Sequence, residues 1–184
     1  MKNEDFDKCS FRAATVLFFA FSFIATAAEA PRTKVALKAE SERQPAPAFA
    51  LKDAAGRTVS LKNYRGKVVL LDFWATTCGG CKVEIPWFTE FHRTYQAKGL
   101  AVVGVSLDEE GWKVVKPFLA DGKIPYRILL GNDALAERYG ITAMPDTFLI
   151  DRKGRLAAAY TTGLVDKDNV EANIKTLLAR KADH

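Results

Sequence analysis

Residues 67–82 read KVVLLDFWATTCGGCK, and this stretch decides the fold. Its first nine positions, 67–75, are apolar except at Lys67 and Asp72. A run of that length without polar alternation suits a strand covered on both faces, as in the middle of a parallel sheet. Cys78 comes three residues after the run ends, and Cys81 three residues later. The segment 81–98 then places Ile85, Phe88, Phe91 and Tyr95 at helical spacing, and Gly99 stops it. The cysteine pair therefore stands where a buried strand turns into a helix.

That position has chemical consequences. With about 3.6 residues per turn, positions i and i+3 share a helix face, so the two thiols can meet and form a small-ring disulfide. Cys78 falls at the helix amino terminus, where unpaired N–H groups and the positive end of the dipole favour a thiolate. It is the better attacker, and Cys81, one turn inside, is the more buried resolving thiol. Gly79 and Gly80 between them let a partner backbone approach closely. A structural disulfide across two intervening residues would restrict the unfolded chain very little. A four-cysteine zinc site would need a second pair, and copper delivery would usually add a nearby histidine; His92 lies in the helix and His184 is the last residue. No metal and no organic cofactor are expected, because no glycine-rich phosphate loop opens a helix.

Working outward, residues 100–107 (LAVVGVSL) read as a second buried strand, and 109–122 as a helix interrupted at Pro117. A strand over 126–130, a short helix over 133–140, and strands over 147–150 and 155–161 follow. Asp168, Asn169, Val170 and Glu171 resemble a capping box opening a last helix, with Val170, Ile174, Leu177 and Leu178 as its buried stripe. Upstream, 49–51 and 58–61 flank a turn carrying Asp53 and Gly56, which predicts a hairpin. Strands alternating with helices imply an α/β layered sheet, and the closing hairpin makes it mixed.

Residues 31–47 are polar and proline-punctuated, which predicts a linker over 28–47 and a folded domain over 48–181. Residues 13–28 carry no charge. As a helix they would reach roughly 24 Å, short of the ~30 Å bilayer core, so 1–27 reads as a secretory signal, with an uncleaved amino-terminal anchor as the alternative. Cys9 precedes the run and would leave with it. The whole chain has 184 residues, 48% apolar and 27% charged, with three cysteines and net charge +5. That composition excludes a disordered chain and a disulfide-stapled miniprotein. The bases are mixed with acids, which gives nucleic-acid binding little support.

Residues 72–86 (DFWATTCGGCKVEIP), followed some 65 positions later by 144–151 (MPDTFLID), resemble the thioredoxin superfamily and, more narrowly, its TlpA/ResA-like thiol–disulfide oxidoreductases, which are related to the AhpC/TSA group. The resemblance covers about residues 45–181. It implies a thioredoxin-like fold: a central mixed β-sheet flanked by helices, with an N-terminal β-hairpin and a central αβ insertion. It makes Cys78 the nucleophile and Cys81 the resolving cysteine of a redox disulfide. Pro145 becomes a cis-proline facing that disulfide, with Met144 and Trp74 also on the substrate-binding side. Glu84 matches an acidic residue that adjusts cysteine ionisation in the subfamily. Asp72 falls in the most apolar strand, where burial should raise its pKa and let it relay a proton for Cys81. Gly80 stands where the family often has proline and Thr77 where it often has tryptophan, so the family's tuning does not transfer.

The activity this implies is dithiol–disulfide exchange with substrate proteins, leaning toward reduction as in cytochrome c maturation. Its implied partners are apocytochrome c thiols and a membrane thiol-electron donor, with a monomer in the periplasm that meets the membrane only through any N-terminal anchor. A peroxiredoxin-type peroxidase is one alternative, although Ala75 and Leu71 stand where it would expect threonine and proline. A redox-inert protein-binding or chaperone module is the other.

Overall fold

A computed structural model of the protein describes residues 32–161 and 163–180. The expected signal segment 1–27 and Cys9 lie outside the described residues. The elements are β1 (Ala50–Asp53), β2 (Thr58–Ser60), β3 (Val68–Trp74), α1 (Gly79–Tyr95), β4 (Leu100–Ser106) and α2 (Trp112–Gly122), then β5 (Arg127–Leu130), α3 (Asp133–Tyr139), β6 (Asp146–Ile150), β7 (Leu156–Tyr160) and α4 (Lys167–Ala179). Among the described residues no helix is long and apolar enough to cross a membrane.

The seven strands form one sheet in the order β2-β1-β5-β4-β3-β6-β7. Strands β3, β4 and β5 run parallel, while β6, β7 and the β1–β2 hairpin are antiparallel to their neighbours. The sheet is therefore mixed, and the α2–β5 unit is the central insertion that carries it out to the hairpin. Strand β3 is buried at all seven positions, as its continuous apolar run requires. Its residues alternate between two cores: Val68, Leu70 and Trp74 pack with Phe88, Phe91, Val170 and Ile174, whereas Val69, Leu71 and Phe73 pack with Leu135, Tyr139 and Phe148. Asp72 is the one ionisable side chain in the strand, and the period-2 geometry turns it toward the face that α1 and α4 cover.

Three expectations are corrected. The 28–47 linker does not hold over its described part. Thr33 bridges to Val165, Lys38 N–H donates to Ala157 O, Leu156 N–H donates to Gln44 O, and Arg43 and Ala46 are buried. Polar, proline-rich composition usually marks solvated chain, but here Lys38 and Gln44 bond to the start of β7, part of a sheet edge that would otherwise stay unpaired, and Thr33 bonds to the loop before α4. Helix α2 starts at Trp112 and runs through Pro117 without ending there. Pro117 and Lys113, whose carbonyl loses its N–H partner, are both exposed, so water can replace the missing bond. Finally, α4 is capped by Asp166, which accepts from Asn169 N–H at 2.9 Å, so Asp168 is inside the first turn rather than its cap.

Candidate active site

The site lies at the carboxyl end of β3, where the chain leaves the sheet and enters α1. The connecting loop is pinned: the Asp108 carboxylate accepts from Thr76 N–H at 3.0 Å and from Thr76 Oγ1–H at 2.5 Å, and Ser106 Oγ donates to the same carboxylate at 2.8 Å. Cys78 caps α1, its Sγ accepting from Cys81 N–H at 3.1 Å. Cys78 and Cys81 are joined, with Sγ–Sγ 2.01 Å and Cα–Cα 5.3 Å. The outer sulfur is half-buried, and Cys81 is 1% exposed. This asymmetry separates an accessible thiol at the helix end from a buried one beneath it.

The second sequence motif comes to the same place. The Met144–Pro145 peptide is cis, Pro145 is buried, and Met144 is among the few exposed large apolar side chains. A Cβ built on Gly80 would stand 3.0 Å from Pro145 Cδ and 3.2 Å from Leu164 Cδ2. Glycine at this position lets the proline ring and Leu164 close directly over the cysteine turn, which accounts physically for one departure from the family pattern. Trp74 is a correction. It is 1% exposed, its ring tilted against Phe118 at 5.2 Å and packed over Gly104, so its side chain belongs to the core beneath the site and not to the surface.

The floor of the site is acidic. Glu84, one turn beyond Cys81 on α1, and Asp72 are each 1% exposed, and Asp146, directly after the cis-proline, is 3% exposed. Burial and the neighbouring Glu84 charge push the Asp72 carboxyl well above the usual carboxylate range, with Asp146 adding to the effect and Thr147 Oγ1–H, 3.5 Å away, opposing it. Burial lifts Glu84 to about 7, against the Val165 N–H that donates to its Oε1 at 2.7 Å; Asp146 raises it further and the Arg32 guanidinium lowers it. Its Oε2 has no hydrogen-bond partner. Glu84 is thereby brought into the neutral pH range, one turn from Cys81, where a fully exposed carboxylate would not titrate. Asp146, Arg32 and Leu164 were missed at the sequence level. Asp146 had a signal, being a charged residue at the head of an apolar strand, but Arg32 lies in the segment whose composition resembled a linker.

Among the described residues no group of three or more histidine, cysteine or acidic side chains is placed to hold a metal ion. The arrangement instead suits two-electron exchange between the Cys78–Cys81 pair and a disulfide presented at the Met144–Pro145 strand head.

The comparisons agree with this geometry. Residues 43–159 match the AhpC/TSA family model. The chain is 33% identical over 133 residues to the thiol-disulfide oxidoreductase ResA of Geobacillus thermodenitrificans, covering 72% of this chain and 75% of that protein. Among solved structures it is similar to a candidate thiol:disulfide interchange protein DsbE from Chlorobium tepidum, with TM-score 0.70 and 33% identity over 81% of this chain and all of that one. It is also similar to StoA from Bacillus subtilis, with TM-score 0.59 and 27% identity over 69% and 96% of the two chains. The chain belongs to the AhpC/TSA family and, within it, to the ResA-like thiol–disulfide oxidoreductases of thioredoxin fold.

Proposed function

We propose that the protein works outside the cytoplasm, in a bacterial periplasm, as a reductant of protein disulfides, with the disulfide of apocytochrome c, which it returns to thiols, as the substrate class and a membrane thiol-electron donor that resets it. The observation that carries the reductive direction is the buried acid floor under Cys81. Glu84 in its charged form, one turn from Cys81, disfavours thiolate formation, which destabilises the dithiol relative to the disulfide. A pair so placed gives up its electrons readily, the reverse of an oxidant whose reduced form is stabilised. The charge-free run at 13–28 supports export, and the exported class is the setting in which a dedicated electron donor is needed.

In the forward reaction the Cys78 thiolate attacks one sulfur of the substrate disulfide, forming a mixed disulfide and releasing the first substrate thiol. Cys81 then attacks Cys78 Sγ, closing the intramolecular disulfide and releasing the second thiol. Two electrons pass to the substrate. Glu84 in its charged form takes the role of proton acceptor for Cys81 as it becomes the attacking thiolate, with Asp72 relaying the proton. The exposed Met144 backbone and Pro145 serve as the docking edge for the substrate strand.

The test is the reduction potential of the Cys78/Cys81 pair together with insulin-disulfide reduction by wild type and Cys78→Ser. The expected potential is nearer thioredoxin's, about −270 mV, than that of the oxidant DsbA, about −120 mV. Turnover should be lost in Cys78→Ser. A potential at the oxidising end would overturn the direction, and rapid thiol-dependent consumption of hydrogen peroxide would replace the reading with a peroxidase.

A further inference from the structure

The segment directly ahead of the domain reaches the redox centre. Thr33 N–H donates to Leu164 O at 2.8 Å and Asp166 N–H donates to Thr33 O at 3.0 Å, a parallel bridge that lies across residues 164–166. Val35 N–H donates to Asn169 Oδ1 at 2.9 Å, and Asn173 Nδ2 donates to Val35 O at 2.8 Å. Four hydrogen bonds thus tie 33–35 to the loop before α4 and to its first turns. The residues they hold are those that touch the site: Leu164 packs against Gly80, and Val165 N–H is the donor to Glu84 Oε1. Arg32 completes the arrangement. Its guanidinium lies over the Trp87 ring, 4.9 Å from the centroid, and Trp87 follows Glu84 by one turn on α1. The positive charge is therefore held beside the Glu84 carboxyl.

We propose that residues 32–35 are a positioning strap for the redox centre: Arg32 on Trp87, and Thr33 bonded to Leu164 and Asp166, hold a positive charge and the Val165 N–H against Glu84 and so set how readily the Cys78–Cys81 disulfide is reduced. The inference rests on the exchange activity proposed above and names what adjusts it. Glu84 is faced by Asp72 from β3, Asp146 from β6, Val165 N–H from the loop before α4, and Arg32 from the strap. Burial and Asp146 drive it toward the neutral form, and the strap supplies or positions the two groups that favour its charged form. With the strap seated, Glu84 carries charge at lower pH, thiolate is disfavoured, and the reduced protein is the stronger donor. With the strap loosened, Glu84 keeps its proton to higher pH and the disulfide accepts electrons more easily.

The test is the thiol–disulfide equilibrium of the full chain with glutathione at pH 7.5, which needs no protein substrate and so remains readable even if the proposed protein-reductase activity fails. Thr33→Pro removes the N–H donor to Leu164 without changing charge, and Asn169→Ala releases Val35 if the proline variant does not fold. Each should shift the equilibrium toward the dithiol, by up to about tenfold for Thr33→Pro, bounded by the worth of the charge-assisted Val165 N–H bond to Glu84 that the strap holds in place. Arg32→Gln should move it in the same direction. In a Glu84→Gln background the Thr33→Pro and Asn169→Ala shifts should vanish, and Arg32→Gln should give no shift or the opposite one, from direct loss of its charge. Carbon-13 carboxyl titration of Glu84 in the oxidised protein should show a higher midpoint in all three variants. Lys34→Gln, which removes only the rim pair with Asp166, is the control and should leave both readouts unchanged. Equal shifts with and without Glu84, or an unmoved Glu84 titration in folded strap variants, would overturn the proposal.

Discussion

Two regions of the molecule bury carboxylates and treat them in opposite ways. The hairpin turns repeat one pattern, Asp-x-x-Gly-Arg, at 53–57 and 151–155. Asp53 accepts from the N–H groups of Ala55 and Arg57 and from the Arg57 guanidinium; Asp151 accepts from Lys153 and Arg155 N–H and from the Arg155 guanidinium. A second arginine from elsewhere in the chain reaches each, Arg127 to Asp53 and Arg43 to Asp151. Burial pushes both carboxyls upward, but these donors and cations outweigh it and hold them below the usual range. Under the cysteines, Asp72 and Glu84 are buried and face each other and Asp146, with the Val165 N–H, the Thr147 hydroxyl and the Arg32 guanidinium in opposition. Burial raises all four carboxyls, and the partners that remain after burial decide whether that rise is overcome.

The largest expected effect breaks the hairpin side of this contrast. Arg43 and Asp151 form a buried pair with side chains 2% and 7% exposed. Asp151→Asn leaves that guanidinium uncompensated and should cost about 3–5 kcal/mol, read from the urea midpoint at constant slope.

The next effect concerns pH. The Asp151 carboxyl is depressed in the folded state, so its stabilisation is present above the unfolded carboxylate value, about 4, and is lost as pH falls through the lower folded value. Glu84, raised to about 7, has the opposite sign. Its favourable contribution is complete below the unfolded value and disappears as pH rises to about 7, an effect on the order of 3 kcal/mol. Unfolding of oxidised Glu84→Gln should therefore show a flatter loss of stability between about pH 4.5 and 7 than wild type. An unchanged slope would mean that Glu84 titrates normally.

Smaller still is Gly80→Ala. The new methyl meets the Pro145 and Leu164 side chains, and the resulting overpacking should cost about 1–3 kcal/mol. Equilibrium unfolding of the oxidised protein measures it. Gly154, which has φ 75° in the second hairpin, makes the useful counterpart: there alanine is opposed by the backbone conformation, and about 1–2 kcal/mol should be lost without any change in cysteine chemistry. The smallest stability effect is expected for Asp72→Asn. A neutral carboxyl exchanged for a neutral amide should change stability at pH 5 by less than about 1 kcal/mol, while the rate of Cys78 alkylation by iodoacetamide near pH 8 changes several-fold. A large loss of stability at pH 5 would show that Asp72 is held as an anion after all.

Much of this was legible in the chain. The run 67–75 and the helical stripe through Ile85, Phe88 and Phe91 identify a buried strand feeding a helix, because their apolar periods differ and each matches only one kind of element. The 78–81 spacing then places two thiols on one turn. The capping residue of α4 was misplaced by two positions, since both Asp166 and Asp168 satisfy the local pattern and only the path of the incoming strap selects between them.

Sequence alone therefore determined the elements, the sheet class and the two cysteines, all of which depend on residues close together in the chain. The tertiary structure alone decided that Asp72 and Glu84 are pushed up, that Trp74 is buried support, that Gly80 admits Pro145, and that 33–46 packs on the domain. Several of those outcomes come from groups far apart in the chain, 81 positions for Glu84 with Val165 and 108 for Arg43 with Asp151, and local propensity carries no information about which distant partner will arrive.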